Sequence, residues 1–161
     1  MTGPVVRAAQ PRDDGALWAL DREVWSPEHS PGPRPSGDGA FVGDGRTCLV
    51  AVLGERVVGY VSLSSATPLA SNAHVAMIDG LAVAPKARGR GVGAALLEAA
   101  FEHAGREGLR RIRLRVLATN VPARRLYERL GFVVEGVLEG EFHLAGEDVD
   151  DVLMARVLDR E

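Results

Sequence analysis

A run of glycines between two apolar segments is the part of this chain whose residue types most clearly suggest a chemical task. It is the loop Arg88-Gly89-Arg90-Gly91-Val92-Gly93, and the apolar spacing that begins at Val92 predicts that the loop leads into a helix. The first backbone N–H groups of a helix lack partners within it, and the helix dipole adds partial positive charge there. Glycines let an anion approach the backbone, and Arg88 and Arg90 add positive charge. The loop therefore predicts a binding site for a diphosphate.

Two other interpretations of this loop are less favourable. A plain glycine-rich turn leaves unexplained why three alternate glycines, which weaken a helix, stand at its start. The residues also fit the dinucleotide-binding pattern G-x-G-x-x-A. However, residues 84–88 separate them from the preceding strand, and no acidic residue ends the following strand to hold a ribose. The Gly-Lys-Ser/Thr sequence of nucleotide triphosphatases is absent.

One carboxylate stands inside an apolar run. Asp79 follows Ala76-Met77-Ile78 in a predicted strand, and a charged group there needs a reason, either function or a hydrogen bond to a neighbouring loop. In a regular strand Asp79 shares a face with Val83, whereas a β-bulge would change that face. His74 is the second candidate for a proton acceptor, because histidine titrates near neutral pH. His74 is equally explained as a surface residue.

Composition limits the classes of function. The 161 residues, 46% hydrophobic and 25% charged, predict a single soluble domain over residues 1–161. The net charge of -3 gives no basic field for nucleic acid or an anionic membrane, and no run approaches the ~20 apolar residues of a membrane span. Cys48, the sole cysteine, lies in an apolar run and is expected in the core. The four histidines are scattered, so we expect no metal site, and we expect a cytoplasmic location.

The apolar spacing predicts a mixed α/β fold. Its order is strand, helix, loop, three strands, helix, strand, helix and two strands. The predicted strands are residues 5–9, 47–53, 56–64, 75–83, 112–117, 132–138 and 152–157, and the helices are 11–24, 92–106 and 122–130. Strands 75–83 and 112–117 should be parallel. Residues 26–39 are predicted to be a mobile loop or an irregular segment over a site, and 141–151 to be less regular, with Asp148, Asp150 and Asp151 in a solvated turn. One of these three acids, or Glu135 or Glu139, is the alternative as a partner for a cationic amine.

Three blocks of residues resemble the GNAT superfamily of N-acetyltransferases. Arg88-x-x-Gly91-x-Gly93 is similar to its R/Q-x-x-G-x-G/A signature, and Leu81-Ala82-Val83 before Pro85 is similar to its strand end L-A-V-x-P. Asn120, Ala123, Leu126-Tyr127 and Gly131-Phe132 are similar to its block N-x-x-A-x-x-L-Y-x-x-x-G-F. The resemblance spans most of the chain and is weakest at residues 25–46. It implies a central, mixed, mostly antiparallel seven-stranded sheet, splayed between strands 4 and 5, with about four helices.

The resemblance also implies acetyl-CoA as co-substrate and a set of site residues. Those implied to bind it are Leu81, Ala82, Val83, Arg88, Gly89, Arg90, Gly91, Val92, Gly93, Asn120 and Tyr127. The loop would hold the pyrophosphate, and the strand backbone would pair with the pantetheine arm in the gap. Asn120 is expected to hydrogen-bond that arm or to cap the helix that follows it. Tyr127 would act as the acid facing the sulfur of CoA, against the alternative that it only packs there. Asp79 is the expected base, with His74 or water as alternatives.

The acceptor is implied by the tail of the chain. The residues from Gly131 to Met154 are similar to the pattern G-F-x-x-E-G … D-x-x-x-M of enzymes that acetylate free amino acids and amino-acid-like herbicides, and they resemble ribosomal-protein N-terminal enzymes. The expected reaction is direct attack by a small primary amine in a ternary complex. A protein N-terminus is the alternative acceptor, and a closed pocket would favour the small amine. An acyl-CoA-binding module without catalysis is a further alternative, and relatives suggest a homodimer.

Overall fold

The computed structural model describes residues 2–43 and 45–159 as one sheet with helices on both faces. The strands are β1 Val5–Ala8, β2 Thr47–Leu53, β3 Arg56–Ser65, β4 Val75–Val83, β5 Arg111–Leu117, β6 Val133–Leu144 and β7 Glu147–Val157. The α-helices are α1 Asp14–Val24, α2 Val92–Arg106 and α3 Val121–Arg129. Short 3-10 helices lie at Pro11–Asp13, Ala70–Asn72 and Pro85–Ala87.

The sheet has the order β1-β2-β3-β4-β5-β7-β6. Every neighbouring pair is antiparallel except β4 and β5, which are parallel. The expected seven-stranded, mostly antiparallel mixed sheet is confirmed, with three α-helices in the described ranges instead of about four. None of the helices in residues 2–43 and 45–159 is long and apolar enough to cross a membrane.

Alternation along the strands builds a separate core on each face of the sheet. In β2, Leu49 packs with α2, while Cys48 and Val50 pack with Leu17 of α1. We call these two sides the α2 face and the α1 face. Cys48 is a core residue as expected, and burial raises the pKa of its thiol to about 12.

The sheet opens between β4 and β5. The two strands pair only where residues 75–77 meet residues 111–113. Beyond that point β4 continues beside β3 alone and β5 continues beside β7 alone. This gap is the expected splay, and it leaves one edge of β4 without a strand partner.

A β-bulge in β4 changes the direction of Asp79. Ser62 of β3 pairs with Gly80, but the next residue, Leu63, pairs with Ile78, so Asp79 is the extra residue. Ile78 stays on the α2 face, and Asp79 turns to the α1 face beside Ser62. Of the two arrangements expected from the sequence, the bulged one is present, so Asp79 does not share a face with Val83.

The last two strands form a longer hairpin than predicted. Residues 141–151 are strand apart from the turn at Ala145-Gly146, whose φ angles of 49° and 85° fit a two-residue hairpin turn of the I′ type. Asp148 pairs with His143 across the hairpin at 2.8 Å, and Asp151 is buried. The prediction of a solvated turn at Asp148, Asp150 and Asp151 is wrong, because these residues belong to β7.

The irregular segment after α1 is tied to the helix by hydrogen bonds. Trp18 Nε1 donates to the carbonyl oxygen of Gly39 at 2.8 Å, and Arg22 donates to that of Gly37 at 3.2 Å. Trp25 Nε1 donates to Gly32 at 3.0 Å within the segment itself. These contacts give residues 25–43 a defined path over the α1 face, which favours the second of the two predicted interpretations.

Candidate active site

The glycine-rich loop ends in a helix start with free backbone donors. Gly89 and Gly91 have φ of 78° and 77°, a left-handed conformation that glycine adopts without steric cost. Gly91 is the N-cap of α2, and the first amide with a partner is that of Ala95, which donates to the Gly91 carbonyl at 3.0 Å. Within the described residues, the N–H groups of residues 89–94 have no hydrogen-bond acceptor. Together with the helix dipole they form a site for an anion.

The side chains of this loop have different tasks from its backbone. Arg88 and Arg90 are exposed and make no ion pair within the part of the chain that the structure describes, so they add positive potential. Val92 is 1% exposed and offers only its N–H group to a ligand. A Cβ on Gly93 would lie 2.9 Å from Leu126 Cδ2, so this glycine lets α3 pack closely against α2.

The open edge of β4 offers backbone groups to the gap. Ala84 donates its N–H to Val58 of β3 at 2.8 Å, and alternation along an antiparallel strand then turns the N–H and C=O groups of Val83 and Leu81 toward the gap. Ala82 directs its groups to β3, since its carbonyl oxygen would lie 2.8 Å from a Cβ on Gly59. Of the three residues in the L-A-V segment, Leu81 and Val83 thus face the gap.

A cavity of about 430 Å³ fills the splay between β4 and β5. We call it the gap cavity. It is lined by His29, Pro31, Ile78, Asp79, Gly80, Leu81, Leu114, Arg115, Val116, Leu117, Asn120, Tyr127, Phe142 and Asp151. The structure therefore brings together Asp79, Leu81, Asn120 and Tyr127, four of the residues selected from the sequence.

Asn120 combines both of its expected roles. Its side-chain Oδ1 accepts a hydrogen bond from the Ala123 N–H at 3.3 Å and so caps α3. Its side chain also lines the gap cavity, where the amide nitrogen Nδ2 has no acceptor among the described residues. Capping and donation into the cavity use different atoms, so they are compatible.

Tyr127 lies on α3 with its ring in the core. It is 7% exposed, and its ring packs edge-on against Phe132 with centroids 5.7 Å apart. Burial raises the pKa of its hydroxyl to about 12. Among residues 2–43 and 45–159 the hydroxyl has no hydrogen-bond partner, although the residue borders the gap cavity. A neutral phenol at this wall can donate a proton to a ligand.

Asp79 is held at the bulge by two neighbours. Its Oδ1 accepts a hydrogen bond from the Ser62 hydroxyl, and its Oδ2 lies 3.3 Å from Arg46 Nε. The side chain is only 20% exposed although the residue as a whole is exposed, so the backbone is the part that faces the opening. Asp79 and Gly80 also line a second cavity of about 160 Å³ on the α1 face, walled by Trp18, Phe41 and Tyr60. The carboxylate thus stands between two cavities.

His74 lies away from this site. It precedes β4 at the end where β4 and β5 are paired, and its carbonyl oxygen accepts the N–H groups of Arg110 and Arg111 at 2.9 and 3.2 Å. It is not among the residues that line the gap cavity.

Sequence reasoning did not select Arg115, and it offered Asp151 only as one of several acids that could bind a cationic amine. Arg115 Nε donates to the Asp151 carboxylate, whose side chain is 3% exposed, and both residues line the gap cavity. The two are 36 positions apart, so no local pattern joins them. The sequence does contain one signal for Asp151. It stands at alternate positions with the apolar residues Leu153 and Ala155, so it shares their face of β7.

A larger groove lies outside this region. It measures about 1180 Å³ and runs between α1 and the β2–β3 turn, with Lys86 and Arg90 at its border. It contains neither Tyr127 nor Asp79. Size alone does not select a site, so we assign the chemistry to the gap cavity, where donors, an acid and a carboxylate converge.

Comparisons with known proteins show the family of the chain. The model described as "Acetyltransferase (GNAT) family" matches residues 15–132. The structure of a GCN5-related N-acetyltransferase from Kribbella flavida is 32% identical, with a TM-score of 0.85 over 97% of this chain and 98% of that one. A phosphinothricin acetyltransferase from Sinorhizobium meliloti, solved with acetyl-CoA, has a TM-score of 0.87 over 98% of this chain and 89% of that one. At 22% identity, that second likeness shows the fold alone.

A curated relative matches part of the chain. It is the mycothiol acetyltransferase of Brachybacterium faecium, 37% identical over 93 residues, which is 58% of this chain and 28% of that protein. The chain therefore spans less than a third of the length of this relative.

The splayed sheet and the donor-rich helix start agree with the fold of these structures. With its family match over residues 15–132, the chain belongs to the acetyltransferase (GNAT) family.

Proposed function

We propose that this chain is a single domain that transfers the acetyl group of acetyl-CoA to the primary amine of a small amino-acid-like molecule in a ternary complex. One observation carries the proposal. The unpaired edge of β4 runs from Asp79 and the gap cavity to the free N–H groups at the start of α2. A ligand with a diphosphate at one end and a reactive thioester at the other matches that edge.

The residues present fit acetyl-CoA. The N–H groups of residues 89–94 suit its pyrophosphate, and the backbone groups of Leu81 and Val83 suit the amides of its pantetheine arm. Asn120 Nδ2 offers one more donor in the cavity. The co-substrate supplies an acetyl thioester, and the reaction joins the acceptor nitrogen to the acetyl carbon, breaks the carbon–sulfur bond and releases one proton overall.

In this proposal Asp79 is the general base and Tyr127 is the general acid. Asp79 accepts a proton from the acceptor ammonium, since only the neutral amine has a lone pair for the attack. Ser62 and Arg46 hold the Asp79 carboxylate in place. Tyr127, neutral because of its raised pKa, donates a proton to the departing sulfur and regains one from solvent.

The wall of the gap cavity supports a small acceptor over a protein N-terminus. His29 and Pro31, from the irregular segment after α1, line one part of the cavity, and Phe142 lines another. A cavity of about 430 Å³ with such walls suits a small molecule. The substrate named for the Sinorhizobium meliloti protein, phosphinothricin, is in that class.

The test is a panel of acceptors with acetyl-CoA. Release of free CoA and the mass of the acetylated product are measured for amino acids, their amides, polyamines and peptides with free N-termini. We expect turnover with small primary amines and a loss of about 100-fold or more in kcat for Tyr127→Phe. The same variant should keep its melting temperature at neutral pH, because the hydroxyl has no hydrogen-bond partner among the described residues.

Other results point to the alternatives. Preferred turnover of peptides would make the chain a protein N-terminal acetyltransferase. Acetyl-CoA binding without turnover of any acceptor would make it a non-catalytic acyl-CoA-binding module. A homodimer is part of the proposal because the family resemblance implies one, and light scattering tests it.

A further inference from the structure

We infer that Arg115 binds a carboxylate of the acceptor, so that the preferred acceptors are amino acids with a free carboxyl group. This inference rests on the proposed function and assigns the substrate class to the gap cavity. It concerns a residue that neither the glycine-rich loop nor the acid and base chemistry uses.

The position of Arg115 follows from the splay of the sheet. On β5, Ile112, Leu114 and Val116 point into the core of the α2 face, so Arg115 points to the α1 face. Because β5 pairs with β4 only over residues 111–113, Arg115 borders the opening instead of a neighbouring strand. The bulge turns Asp79 to the same face, and both residues line the gap cavity.

The guanidinium of Arg115 is oriented but not fully used. Its Nε donates to the Asp151 carboxylate, and this hydrogen bond orients the plane of the guanidinium. Its Nη2 lies 3.9 Å from the Glu141 carboxylate, too far for a hydrogen bond. In the described part of the chain its two terminal nitrogens therefore donate to no acceptor, and the side chain is 43% exposed. A guanidinium held in this way presents a fork that matches a carboxylate.

The charges of the cavity fit a zwitterion. Asp79 and Arg115 both line the gap cavity; Asp151 pairs with Arg115, and Asp79 pairs with Arg46, which lies outside that lining. An amine without an anionic group could pair with Asp79, but the terminal nitrogens of Arg115 would then have only water or Glu141 as partners. An amino acid places an ammonium and a carboxylate in one molecule, so it satisfies Asp79 and Arg115 together. Partners at both ends would orient the nitrogen toward the thioester.

The test compares each amino acid with its primary amide, which keeps the amine and the side chain but lacks the negative charge. We expect kcat/KM of the wild-type protein to favour the acid about tenfold or more. Arg115→Met should remove most of that preference through a higher KM for the acid. Arg115→Glu should reverse it in favour of the amide.

A control on the same strand is Arg111→Met. Arg111 makes one ion pair, with Glu135 at 2.5 Å, and does not line the gap cavity. This variant should keep the wild-type preference. Asp151→Asn tests positioning: it should lower the preference less than Arg115→Met does and should act through KM.

The outcomes separate this inference from the proposed function. Equal turnover of acids and amides by the wild-type protein would overturn the role of Arg115 while the acetyltransferase function stands. A wild-type preference that survives in folded Arg115→Met would also overturn it. If no amine is acetylated, the proposed function fails, and a thermal shift decides the inference: carboxylic acids without an amino group should stabilise the wild-type protein and not Arg115→Met, and equal shifts would overturn it.

Discussion

Tyr127 is a side chain whose chemistry depends on its surroundings. Burial raises the pKa of its hydroxyl to about 12, so the phenol keeps its proton at any pH near neutrality. Tyr60 is held neutral in the same way, by burial first and then by its hydrogen bond to the Asp21 carboxylate at 2.5 Å, which also raises its pKa. An acid that is always protonated needs no pH-dependent activation.

The raised pKa of Tyr127 predicts a loss of stability in alkali. The unfolded chain ionises this tyrosine near pH ~10, whereas the folded protein holds the proton up to about 12, so the folded state binds more protons between these values. The free energy of unfolding should therefore fall as the pH rises through this window. Tyr127 contributes about 1.4 kcal/mol of that fall by pH ~11. Urea unfolding of the wild-type protein and of Tyr127→Phe at pH ~9 and ~11 measures this fall in the free energy of unfolding.

Tyr127→Phe should show the smaller fall, because phenylalanine has no proton to lose. An identical pH dependence in the two proteins would mean that Tyr127 is not desolvated as the structure indicates.

At the level of single residues, the sequence predicted several residues of the candidate site, but it did not predict which side chains contact one another. Asn120 caps a helix, and Tyr127 lies beside the gap, because both belong to a short, strongly patterned helix. Asp79 was selected as an acid in an apolar strand, but its face depended on a bulge that no pattern reveals. Arg115 and Asp151 meet only through strand pairing over a long sequence separation.

At the scale of elements, the bulge in β4 places the proposed base. It shifts the register by one residue between Ser62 and Leu63 and puts Gly80 against two side chains of β3. A Cβ at Gly80 would lie 2.9 Å from Ser62 Oγ and 3.0 Å from Tyr60 Cε2. The absence of a side chain there lets Ser62 reach the Asp79 carboxylate.

Gly80→Ala should therefore impair both stability and turnover. Overpacking at such a site typically costs about 1–3 kcal/mol, and the displaced Ser62 would release Asp79. Thermal melting and kcat for the best acceptor measure the two effects. Gly136→Ala is the control, since its Cβ would meet Leu153 at an ordinary 3.7 Å in another strand. Wild-type kcat in Gly80→Ala would show that the bulge does not position the base.

Most elements were predictable because their apolar spacing is regular. α2 was predicted with the observed bounds, since its buried residues repeat at helical spacing and glycines precede it. The β6–β7 hairpin was predicted too short, because acidic residues fill the strand on its solvent side and Ala145-Gly146 is a weak turn signal. The irregular segment over the α1 face has no repeating pattern, and only the indole and guanidinium donors of α1 reveal its path.

At the scale of the whole molecule, the residues around the gap belong to two different faces of the sheet. The donors of the α2 start and Tyr127 belong to the side of α2 and α3. Asp79, Arg115 and the irregular segment belong to the side of α1. We propose that the co-substrate and the acceptor approach from opposite faces and meet in the splay. That geometry favours a ternary complex, because neither partner must leave before the other binds.

The proposed function requires that acetyl-CoA binds along the open edge of β4. Isothermal titration calorimetry of the wild-type protein with acetyl-CoA, and with NADH beside it, measures this directly. A glutamate at position 91 would put a negative charge among the free N–H groups and force a left-handed φ on a residue with a side chain, so Gly91→Glu should weaken binding at least about tenfold. Gly105→Ala, at the other end of α2 and with open space around its Cβ, should bind like the wild-type protein. Acetyl-CoA binding that is lost in Gly91→Glu and kept in Gly105→Ala is the predicted result. No binding of acetyl-CoA by the folded wild-type protein, or tighter binding of NADH, would contradict it.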